Sequence, residues 1–141
     1  MAEAILNCYG SGRFIAFSAG SNPLGHVSRD ALKTLEKFSI PIDGLSSKSW
    51  NEFKNEEFDI VITVCDAAAG QTCPVYLGRA IKAHWPVFDP SSVKHIPLEA
   101  VRQFAKCYKI IEERIIELLD IKFDKLTDAE IKKELDRIGN E

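Results

Sequence analysis

Residues Phe58 to Val64 read Phe-Asp-Ile-Val-Ile-Thr-Val, a nearly continuous β-prone run that stops at Cys65-Asp66. A run that is apolar at almost every position suits a strand buried on both faces of a parallel sheet, because a strand with one wet face would alternate. It therefore predicts an inner strand in an α/β chain. Whatever follows it is carried to the carboxyl end of the sheet, where ligands of such sheets bind.

The flanking segments supply the alternation that a parallel sheet requires. Met1 to Cys8 consists of good helix formers with no Ser, Thr, Asp or Asn cap, so the chain is expected to begin inside a helix. Gly10 to Gly12 breaks that helix, and Phe14-Ile15-Ala16-Phe17-Ser18 predicts a short strand. After the turn at Gly20 to Pro23, Ser28 can cap a helix with Leu32, Leu35 and Phe38 on one face, ending before Pro41. Ser47 to Phe53 reads as a short helix or turn. Beyond the loop Asp66 to Pro74, Val75 to His84 is expected to be helical in part. Trp85 to Phe88, which contains Pro86, is expected as an edge strand ending at Asp89-Pro90.

The clearest period lies in Leu98 to Ile121, where Val101, Phe104, Tyr108, Ile111, Ile115 and Leu118 step by three and four as one helical stripe. That helix should cover the sheet. Thr127 to Glu130 forms a capping box for a charged tail helix with Ile131, Leu135 and Ile138 on a thin stripe, supported by an Asp128 to Lys132 pair. The tail is expected to be accessory. No internal repeat or low-complexity segment occurs.

A chain of 141 residues with 45% hydrophobic content fits one domain. Its 18 basic and 21 acidic side chains are mixed along the sequence for a net charge of -3, so no basic field exists to collect nucleic acid or anionic lipid. No apolar stretch of about 18 residues and no signal-peptide pattern is visible, which makes the cytoplasm the expected location. In that reducing compartment the four cysteines are not a disulfide framework, and a loop pair such as Cys65 and Cys73 is more often catalytic or metal-binding. A metal held by Cys65, Cys73 and His84 matches no zinc spacing and lacks a fourth ligand. Asp89 before Pro90 either initiates a turn or serves as an acid at a strand end. His84 and Trp85 read as packing residues, and Cys8 and Cys107 as structural thiols in helices.

Met1-Ala2-Glu3-Ala4-Ile5-Leu6-Asn7, Ser18-Ala19-Gly20, Ser47-Lys48-Ser49-Trp50, Val61-Ile62-Thr63-Val64-Cys65-Asp66, Cys73-Pro74, His84-Trp85 and Asp89-Pro90 occur in one order and spacing. Together they resemble arsenate reductases of the low-molecular-weight tyrosine phosphatase type. The resemblance implies a three-layer α/β sandwich with a parallel sheet, residues 1–121 forming the phosphatase-like domain and 122–141 an accessory helix outside it. It also implies a relay in which a loop cysteine attacks arsenate, Asp89 protonates the departing oxygen, Cys65 attacks the adduct to release arsenite, and Cys73 resolves the disulfide. The Cys65 to Cys73 pair would then be presented to thioredoxin, glutaredoxin or a related dithiol, which regenerates it by exchange. The implied partners are thus an arsenate- or phosphate-like oxyanion and a thioredoxin-like reductant, with no resident organic cofactor. Glu3 and Ser18 resemble positions that help bind potassium in some thioredoxin-coupled members. A tyrosine phosphatase, the alternative within the family, needs no second or third thiol.

The family pattern also includes a first central strand and a Cys-x5-Arg-Ser phosphate loop just before the helix that begins here at Met1. That loop holds a tetrahedral oxyanion on successive backbone NH groups and lowers its cysteine pKa from ~8.5 toward neutrality. Cys73-Pro74-Val75-Tyr76-Leu77-Gly78-Arg79 has the spacing formally, but Pro74 removes a donor, three bulky residues follow, and Ala80 replaces the hydroxyl. Cys8 fails because Arg13 is one residue too close. Loss of a central strand would remove a few apolar side chains worth ~1.5–3 kcal/mol each, much of the ~5–15 kcal/mol that holds a domain together. The resulting expectations are a chain truncated by a misplaced start codon, or one that repairs the gap by re-pairing strands or by strand exchange in a dimer. A noncatalytic binding or regulatory remnant is the alternative of a different class.

Overall fold

The structure is a computed structural model in which residues 1–21, 23–65 and 78–141 are described. Among these residues the order of elements is α1 (Ala2–Tyr9), α2 (Arg29–Lys37), a 3-10 turn at Trp50–Phe53, β1 (Ile60–Thr63), β2 (Ile81–His84), a 3-10 turn at Pro90–Val93, α3 (Pro97–Leu119), a 3-10 turn at Phe123–Lys125, and α4 (Asp128–Gly139). β1 and β2 pair in parallel with Ile60 opposite Ile81 and Thr63 opposite His84. The pairing runs on past the strands, since Trp85 N donates to Thr63 O (2.8 Å) and Val87 N to Val64 O (3.0 Å). A separate parallel bridge joins Gly20 to Ser49.

Local signals account for the helices. Ser28 Oγ accepts from Ala31 N at the start of α2. Ser49 with Glu52, and Thr127 with Glu130, close reciprocal capping boxes that satisfy otherwise orphaned amides. α1 opens at Ala2 with no side-chain cap. α3 is the central pillar, packing against α1, α2 and α4, while α4 packs along β2. Ile5, Leu35, Tyr108, Leu135 and Ile138 are the largest side chains closed off from solvent.

The structure departs from sequence expectation at several places. Phe14 to Ser18 forms no strand, and Ile15 is 82% exposed. The expected partial helix from Val75 to His84 is a strand over Ile81–His84, and its first residues fall in the 66–77 segment outside the described residues. Trp85 to Phe88 is not itself a strand; it only prolongs the β2 ladder. Val101, placed on the α3 stripe by spacing, is 53% exposed, and the buried face instead includes Cys107 and Arg114. Lys132 reaches forward to Asp136 (3.2 Å) and to Lys82 O (2.8 Å) rather than back to Asp128.

Residues 122–141, expected as an accessory helix, contribute Ile131, Leu135 and Ile138 to the main core. Trp85 Nε1 donates to Leu135 O at 2.9 Å, fixing α4 to the end of β2. No helix among the described residues is long and apolar enough to cross a membrane.

Candidate active site

β1 and β2 are adjacent and parallel, so the segments that leave them emerge at the same end of the sheet. Cys65 leaves β1 there and is exposed. Asp89 leaves the β2 ladder there, also exposed. Two of the three residues singled out from the sequence are therefore on neighbouring exits. Cys73, the third, lies outside the described residues.

The Asp89 carboxylate is engaged locally. Its Oδ1 accepts from Ser91 N (2.9 Å) and Ser91 Oγ (2.6 Å), capping the Pro90–Val93 turn. The turn-initiating reading of Asp89-Pro90 is thus met in the geometry.

The segment between β2 and Asp89 is held from below. Arg114, buried within α3, donates from Nη1 to Pro86 O at 3.0 Å. Sequence reasoning missed this residue, although a guanidinium between Ile111 and Ile115 on the buried stripe was the available signal. A charge is retained in such a place when a polar partner satisfies it. Burial pushes the Cys107 thiol up to about 11; the Met1 ammonium and Arg114 oppose the shift, and the Asp89 carboxylate adds to it. Cys107 is thus a protonated core thiol at neutral pH, unsuited to nucleophilic attack.

Thr63 and His84, opposite one another at the strand ends, are joined through side chains. Thr63 Oγ1 lies 2.8 Å from His84 Nδ1, and the same nitrogen is 3.1 Å from Thr63 O. His84, read from the sequence as a packing residue rather than a catalyst, is thus hydrogen-bonded to its neighbour across the ladder.

Glu3 and Ser18 also come together, Ser18 Oγ donating to Glu3 Oε2 at 2.7 Å. Lys48 Nζ approaches the same oxygen at 3.7 Å. An ammonium and a hydroxyl thus both face the Glu3 carboxylate that the resemblance places near a potassium ion. Among the described residues no group of three or more His, Cys, Asp or Glu side chains is placed to hold a metal.

With this arrangement in view, residues 1–137 match the family model described as low molecular weight phosphotyrosine protein phosphatase. The chain belongs to that family. It is 27% identical over 115 residues to an arsenate reductase of Halalkalibacterium halodurans, covering 82% of this chain and 81% of the relative. It is also 27% identical over 90 residues to a glutaredoxin arsenate reductase of Synechocystis, covering 64% of this chain and 67% of the relative. A solved structure described as an arsenate reductase in reduced state has the same fold, with a TM-score of 0.66 over 83% of each chain at 23% identity.

Proposed function

We propose that this chain carries the thiol-relay half of an arsenate reductase. The observation that carries the reading is the emergence of Cys65 and Asp89 on neighbouring exits of one parallel strand pair in a chain of this family. Support for reduction over phosphate-ester cleavage comes from the similarity to two arsenate reductases and from the second thiol, Cys73, eight residues after Cys65.

In the proposed sequence a thiolate bonds to arsenic while an arsenate oxygen leaves as water with the proton of Asp89. Cys65 then attacks that sulfur, a disulfide forms, and the As–S electron pair stays on arsenic, giving arsenite. Cys73 attacks the Cys65 sulfur, which frees the first thiol and leaves a Cys65 to Cys73 disulfide. A thioredoxin- or glutaredoxin-like dithiol reduces that disulfide by exchange.

The first thiolate is the weak point, because these 141 residues contain no Cys-x5-Arg-Ser. The chain alone is therefore proposed to turn over arsenate poorly or not at all. The second reading is a noncatalytic binding or regulatory member. The exposed apolar side chains of Ile15 and Phe17 are compatible with a strand-exchanged dimer, a proposal that a single-chain mass at all concentrations in sedimentation would exclude.

The test uses purified protein with arsenate, thioredoxin, its reductase and NADPH, alongside mild oxidation by oxidised glutathione and disulfide mapping. The expected outcome is no arsenate-dependent NADPH loss but ready formation of a Cys65 to Cys73 disulfide. Failure of that disulfide to form would remove the relay and leave the noncatalytic reading. Arsenate turnover by the intact chain would overturn the impairment.

A further inference from the structure

We infer that His84 is a positioning residue, holding the exit of β1 so that Cys65 is presented at a fixed place beside the Asp89 segment. The inference rests on the relay reading above for the role of Cys65, but its geometry stands separately.

Thr63 is two residues before Cys65, and its polar groups are engaged from β2. Its carbonyl accepts from Trp85 N (2.8 Å), and both its carbonyl and its hydroxyl oxygen face His84 Nδ1 (3.1 and 2.8 Å). Either tautomer sustains the contact. The hydroxyl donates to a bare Nδ1, or a protonated Nδ1 donates to the Thr63 oxygens.

His84 is fixed from the other side as well. Gly139 of α4 lies so near that a Cβ on it would overlap the His84 carbonyl oxygen and the Trp85 ring. Trp85 Nε1 is bound to Leu135 O, and Pro86 O accepts from buried Arg114. The chain from His84 to Pro86 is thus held on α3 and α4, and the imidazole transfers that rigidity across the ladder to Thr63. Reactive groups need this kind of support, because a loop sulfur displaced by about an ångström loses much of its rate.

The experiment follows formation of the Cys65 to Cys73 disulfide in oxidised glutathione for wild type, His84→Leu, His84→Asn and Thr63→Val. Asn can place a polar atom near the Nδ1 position, and Val preserves the shape of Thr without its hydroxyl. Loss of one hydrogen bond of ordinary strength corresponds to a rate loss of up to about tenfold. His84→Leu and Thr63→Val are expected to slow disulfide formation to that extent, and His84→Asn to restore it, with alkylation of Cys8 unchanged in all. Equal rates in wild type and Thr63→Val would overturn the inference even where His84→Leu fails to fold. Equal slowing in His84→Leu and His84→Asn would also overturn it, because side-chain shape rather than hydrogen bonding would then be the cause. Absence of the disulfide in wild type would instead sink the relay reading, and the positioning role with it.

Discussion

Gly139 sets how closely α4 can approach the strand that leads to the site. Replacing glycine inside a helix by alanine ordinarily gains ~1 kcal/mol. Here the added Cβ would overlap a backbone carbonyl and a ring that is itself anchored, and overpacking of that kind costs ~1–3 kcal/mol. The second effect should win, so Gly139→Ala is expected to lower the urea midpoint, and an unchanged or higher midpoint would refute the close packing. Glu112 offers a pH test at the same scale. The Tyr9 hydroxyl (2.5 Å) chiefly holds its carboxyl below the ordinary 4.5, against the opposing effect of burial, with Lys109 and Tyr108 assisting. A depressed folded-state pKa gives stability that is full above 4.5 and lost as pH falls through the folded value. Glu112→Gln should therefore be less stable than wild type at neutral pH, with the two denaturation curves converging in acid. A constant difference across the titration would show that the carboxylate charge is not responsible.

At the scale of elements, α4 is the instructive case. Its capping box and its Ile131, Leu135 and Ile138 stripe are legible in sequence because both are set by residues a turn apart. Its destination was not legible, because the side of the sheet it covers depends on Trp85 and Gly139, which lie far from each other in the chain. An accessory helix and a core helix predict different costs for Leu135→Ala. Leu135 is fully buried, so truncation should cost ~2–5 kcal/mol, read as a shift of the denaturant midpoint. A shift of a few tenths would return α4 to the periphery. The strands show the converse. Ile81-Lys82-Ala83-His84 has little intrinsic strand character and is a strand because β1 templates it. Phe14 to Ser18 has the propensity but no ladder, and Ala16 instead takes both of its backbone bonds from the Asn7 side chain (3.0 and 2.7 Å). Strand propensity reports fit to a neighbour, and a sequence does not show which neighbour is there.

For the whole molecule, the same distinction separates the legible part of the site from the rest. Cys65 and Asp89 could be found from the strings that contain them, whereas the support beneath them, Arg114 on Pro86 and His84 on Thr63, joins residues 21 to 28 positions apart. The cysteines provide a reading of how cooperatively this assembly holds. Cys8 and Cys65 are exposed and Cys107 is buried against the central helix packing. The rise of the Cys107 pKa from 9.0 to about 11 lowers its thiolate fraction about a hundredfold at neutral pH, and the thiolate is the reactive form. Pulsed alkylation in increasing urea should therefore label Cys8 and Cys65 without denaturant. Cys107 should label only along the transition that exposes Trp85, the buried indole bound to Leu135. If Cys107 labels well before that fluorescence change, α3 opens independently of α4 and the sheet, and the supports of the two site exits are not one cooperative unit. Coincident transitions would mean that any substitution weakening α4 also loosens the exit of β1, since both belong to the same unfolding event.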